Sequence, residues 1–128
     1  MWVMHAGNDT VRNPGGDTIL RTVEAAVSRA QGEIWLEHPG GPILGIVLGR
    51  TRAMVLRVAE SGDPGYHAVD PAAPPAPSDV YTLGNGQADE YDDRDTVEAH
   101  QVVPIVSHFL LTGEHWPGVT WHNDGEEV

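Results

Sequence analysis

Val102-Val103-Pro104-Ile105-Val106-Ser107-His108-Phe109-Leu110-Leu111-Thr112-Gly113 runs directly into Glu114-His115-Trp116-Pro117-Gly118-Val119-Thr120-Trp121, so a helix and a strand are expected back to back at the end of the chain. Val102, Ile105, Val106, Phe109 and Leu110 recur on one helical face, which predicts a helix over about 102–112. Gly113 is placed to end it in a left-handed conformation. Pro104 lacks a donor and crowds the preceding turn, so residues from Glu98 onward are expected as a kinked or separate lead-in. Val119-Thr120-Trp121 reads as the last strand, with an acidic tail beyond it.

Upstream, one more helix is expected. Ile19, Leu20, Val23, Ala26, Val27 and Ala30 keep helical spacing after a cap at Asp17 or Thr18, and Gly32 is read as its end. Met1 to His5 is read as an edge strand and Gly7 to Gly16 as loop. Ile34 to Glu37, Ile43 to Leu48 and Ala53 to Ala59 are predicted strands, joined by Pro39-Gly40-Gly41-Pro42 and Gly49-Arg50-Thr51-Arg52. Tyr66 to Val69 is a further short strand. Asp70 to Pro77 is a proline-rich extended surface loop, and Asp79 to Leu83 resumes as a strand turned by Gly84-Asn85-Gly86. Two helices among about six short, mostly hairpin-connected strands predict a single α+β domain over residues 1–128. Its sheet is antiparallel, with both helices packed on one face.

Composition narrows the function. The chain has 128 residues, no cysteine and a formal net charge of −12; its seven basic residues are all arginine. Without cysteine there is no disulfide framework and no thiolate ligand or nucleophile. The negative charge disfavours nucleic acid and anionic membrane as partners and favours a basic protein through long-range steering. The start lacks the basic and apolar regions of a secretory signal, and no run is long enough to span a bilayer, so the protein is expected to stay where it is made.

No arrangement of residues points to catalysis. His100, His108, His115 and His122 match no zinc-ligand spacing and are read as scattered surface residues. No serine sits in a Gly-x-Ser-x-Gly elbow, and no glycine turn is followed by the lysine of a phosphate loop. Asp89, Glu90, Asp92, Asp93, Asp95 and Glu98 crowd a segment ahead of the second helix, but no central glycine gives it a calcium-loop pattern. Carboxylates this close repel one another unless a cationic partner relieves them. The cluster is therefore weighed as a recognition surface beside the plainer reading of a solvated charge run. No cofactor, metal or catalytic residue is expected.

In order along the chain, the early helix, the strands over Glu33 to Val58, the tyrosine-bearing Tyr81-Thr82-Leu83-Gly84-Asn85-Gly86 and the ending Phe109-Leu110-Leu111-Thr112-Gly113…Pro117-Gly118-Val119-Thr120-Trp121 resemble the immunity protein one family, antitoxins of bacterial polymorphic toxin systems. Pro104 and Trp116 depart from the family's pattern. The resemblance implies a cytoplasmic protein that binds a cognate toxin domain and blocks its active site. Toxins of such systems are often nucleic-acid deaminases, among other activities. Asp89, Glu90, Asp92, Asp93, Asp95 and Trp116 are the residues expected to meet that partner, in a protein that is a monomer or a weak homo-oligomer. A ligand-binding or self-associating α+β domain without catalysis is the alternative.

Overall fold

In the computed structural model, which describes residues 1–126, the strands run in chain order as β1 (Val3–Ala6), β2 (Asp9–Arg12), β3 (Gly32–Glu37), β4 (Ile43–Leu48), β5 (Arg52–Val58), β6 (Tyr66–Val69), β7 (Tyr81–Thr82), β8 (Ala88–Asp89), β9 (Val97–Glu98) and β10 (Thr120–Asn123). The helices are α1 (Gly16–Arg29), between β2 and β3, and α2 (Val102–Thr112), between β9 and β10. The main sheet is antiparallel in the order β10-β6-β5-β4-β3-β1-β2, and β9 pairs with the free stretch of β5 beside β6. The α+β class and the antiparallel sheet are as the sequence predicts. The sheet is larger than expected, with eight strands, and β7 and β8 form a small separate hairpin.

Each strand has a core face and an outer face, because side chains alternate. Ile34 and Leu36 of β3, Leu44, Ile46 and Leu48 of β4, Ala53 and Val55 of β5 and Ala68 of β6 meet Ile19, Val23 and Ala26 of α1. Val102, Ile105, Val106 and Phe109 of α2 complete the same core. Burial of each valine, leucine, isoleucine or phenylalanine among them contributes about 1.5–3 kcal/mol. The opposite face carries Glu33, Trp35 and Glu37, then Ile43, Gly45 and Val47, then Met54, Leu56 and Val58, then His67.

Several local expectations are corrected. The stretch Gly7 to Gly16 is not all loop: Gly7, at φ +61°, turns the chain into β2, whose residues are exposed at the sheet edge. Helix α1 ends earlier than Gly32. Ala30 takes the left-handed position at φ 57°, its N–H reaching back to the last carbonyls, and Gly32 already opens β3. A side chain at Gly32 would press on Ala26, with a Cβ–Cβ distance of 3.2 Å. Neither Asp17 nor Thr18 caps α1: the cap is Gly15, without a side-chain bond. The strand expected over Asp79 to Leu83 shrinks to β7.

The lead-in to α2 is a separate 3₁₀ turn over residues 99–101. Pro104 falls in the first turn of α2, where backbone N–H groups have no partner within the helix, so its missing donor costs nothing. Gly113 ends α2 at φ 74°, as the sequence predicts, with its N–H on the Phe109 carbonyl. Its own carbonyl is gripped by Arg57, which donates from Nε at 3.1 Å and from Nη2 at 2.9 Å. A buried guanidinium on β5 thus completes the negative end of the helix. The expected strand at 119–121 is shifted to Thr120–Asn123, and the expected acidic tail lies partly outside the described residues.

Candidate functional site

The segment from Asp89 to Asp95 is a built wall. At its base, Arg52 donates from Nη2 to Asp70 Oδ2 at 2.7 Å and from Nε to Thr96 Oγ1 at 2.7 Å, and also reaches the Asp93 carbonyl. Backbone bonds from Asp93 N to the Ala76 carbonyl and from Arg94 N to the Pro74 carbonyl tie the wall to the proline-rich stretch. That stretch is exposed, as expected of a surface loop, and these backbone bonds tie it down as a strap. A short 3₁₀ turn over residues 93–95 then leads into β9.

Within the wall the carboxylates divide by role. Asp93 was expected at a partner surface, but it is 8% exposed and its Oδ1 accepts from Ser78 N at 3.1 Å and Ser78 Oγ at 2.8 Å. It holds the strap, and its charge is turned inward. Asp95 is half-exposed, and its Oδ1 lies 3.0 Å from His67 Nε2. Asp89, on β8, accepts from the Tyr91 hydroxyl at 3.1 Å and from Gln87. Burial and the bond to Asp89 push the Tyr91 phenol up to about 12, so it stays a donor at neutral pH. Glu90 is exposed and Asp92 partly so; these two and Asp89 form the outward part of the wall. The expected mutual repulsion is thus relieved in part by Ser78, Tyr91 and His67 of the chain itself.

Trp116 packs with the end of the chain. It is half-buried against the core, its carbonyl accepts from Trp121 Nε1 at 2.7 Å, and its ring covers Gly118, where a Cβ would sit 2.2 Å from the indole. The Thr-Gly…Trp ending is thus a closed local unit. Phe109 is part of the core, and Trp121 packs against it partly buried.

The histidines are less scattered than the sequence suggests. His67 Nδ1 faces Asp124 Oδ1 at 2.7 Å while its Nε2 faces Asp95, and the His122 ring lies 5.3 Å away. These residues come from β6, the wall and the turn after β10, and no spacing in the sequence links them. A cleft of about 480 Å³ opens there, lined by His67, Val69, Pro71, Arg94, Trp121 and His122 among others. His115 stacks on Tyr66 at 5.1 Å, and burial, aided by the nearby Arg57, lowers its pKa. Among the described residues no group of three or more His, Asp or Glu side chains is placed to hold a metal ion, and no helix is long and apolar enough to cross a membrane. No protein-family model matches this sequence, and no curated protein matches it.

Proposed function

We propose that the chain is an immunity protein: it binds a cognate basic toxin domain in the bacterial cytoplasm and covers that toxin's active site. The observation that carries this reading is the anchored acidic wall, with Asp89, Glu90 and Asp92 directed outward from a segment held by Arg52, Asp93 and His67. Carboxylates held on a rigid base meet a cationic surface with little ordering cost, and the net charge of −12 steers such a partner from a distance. A toxin that acts on nucleic acid needs a basic groove, and that groove is what an acidic wall would occupy. The likeness of the Phe109 to Trp121 ending to the immunity protein one family supports the same reading.

The test is co-expression with the toxin domain encoded by the adjacent reading frame, followed by pull-down and by titration at rising salt. The expected result is a complex that protects the expressing cells and whose association slows as salt screens the charges. A chain that neither binds nor protects against that toxin, or that binds DNA or RNA tightly at physiological salt, would refute the reading.

A further inference from the structure

We infer that the sheet face turned away from the helices, centred on Trp35 and Leu56, is the floor on which the basic toxin domain docks. This rests on the immunity reading and adds to it the surface that supplies the apolar part of the contact. One row of register partners crosses this face from β1 to β10: His5, Trp35, Gly45, Leu56, His67 and His122. Trp35 lies flat over Gly45, and its Nε1 donates to Glu33 Oε2 at 3.0 Å, so the indole is held in one orientation. Ile43, Met54 and Leu56 flank it, all partly exposed, and none of the three belongs to the core between sheet and helices.

The same face meets the acidic wall. Asp95 is bonded to His67 of the row. At the other end, Gly84 N donates to Glu33 Oε1 at 2.8 Å, which draws the β7–β8 hairpin and Asp89 to the floor's margin. Glu33, Glu37, Asp95 and Asp124 frame the apolar strip, and Asp89, Glu90 and Asp92 stand beside it. A preorganised aromatic anchor among aliphatic side chains, rimmed mainly by carboxylates with Arg12 and Arg94 at its two ends, has the make-up of a hot spot for a partner of net opposite charge. Charge complementarity therefore selects a basic protein surface as the occupant.

The test measures affinity of the full chain and its variants for the toxin domain of the adjacent reading frame, with thermal melts to verify folding. Leu56→Arg and Leu56→Glu should each weaken binding by about thirtyfold, the size of a central hot spot. If the floor acted only through charge, the two variants would shift affinity in opposite directions. Met54→Glu gives a second position should either Leu56 variant fold poorly, and Leu111→Glu on the outer surface of α2 is the control, expected to bind as the parent does. Parent-like binding by folded Leu56 and Met54 variants would overturn the floor while leaving the immunity reading intact. Failure of the parent to bind would end both. A parent that sediments as a dimer, and becomes monomeric on Leu56→Arg without loss of toxin binding, would assign the face to a second copy and overturn the inference.

Discussion

The indole of Trp35 rests on the bare backbone of Gly45: a Cβ at Gly45 would lie 2.3 Å from Trp35 Cζ3 and 2.6 Å from Cη2. The two residues are register partners on β3 and β4, so the contact spans adjacent strands on the outer face of the sheet. A glycine inside a strand usually weakens it, and close approach of another group is the compensating reason to have one.

Gly45→Ala should therefore lower stability by about 1–3 kcal/mol through overpacking and shift the tryptophan emission as the ring is displaced. Adding Trp35→Ala should recover much of the loss attributable to the clash, a coupling readable in a double-mutant cycle. Independent, additive effects would show that the ring does not depend on the glycine.

The acidic wall separates stability from recognition. Asp93→Ala leaves the Ser78 N–H and hydroxyl without their acceptor and should cost about 1–3 kcal/mol in urea unfolding. Joint replacement of Asp89, Glu90 and Asp92 by their amides should change stability by no more than roughly 0.5 kcal/mol per site. The same triple variant should slow association with the toxin domain in stopped-flow measurements.

Arg57 joins the middle of the sheet to the end of α2. Arg57→Met keeps the apolar stem but removes two charge-assisted bonds to the Gly113 carbonyl, along with the contact to Glu114 at 3.3 Å. A loss of about 1.5–3 kcal/mol is expected. Hydrogen exchange should show earlier opening of the last turn of α2 and of residues 114–119 than in the parent.

His115 gives the fold a pH dependence. Its pKa is lowered by burial first and by Arg57 second, so the folded state favours the neutral ring more than the unfolded chain does. Its contribution is complete above the ordinary histidine value of 6.5 and is lost as pH falls through the lower folded value. Melting temperature should fall between about pH 7 and pH 5. His115→Phe, which retains a ring against Tyr66 and Trp121, should make that fall shallower; an unchanged slope would assign it to carboxylates.

Periodicity and turn chemistry determined the helices, the central strands, their antiparallel hairpin pairing and the glycine end of α2, since each depends on residues a few positions apart. The acidity and the lack of cysteine were equally plain. Tertiary structure decided which of the crowded acids face outward. Asp93 and Asp92 are neighbours in sequence, yet one holds Ser78 and the other reaches solvent, because a strap far along the chain folds over the first. The pairing of His67 with Asp95 and Asp124, and the seat of Trp35 on Gly45, arise in the same way. Local sequence encodes spacing along one element, whereas these contacts come from strand register and loop closure, which only packing of the whole sheet establishes.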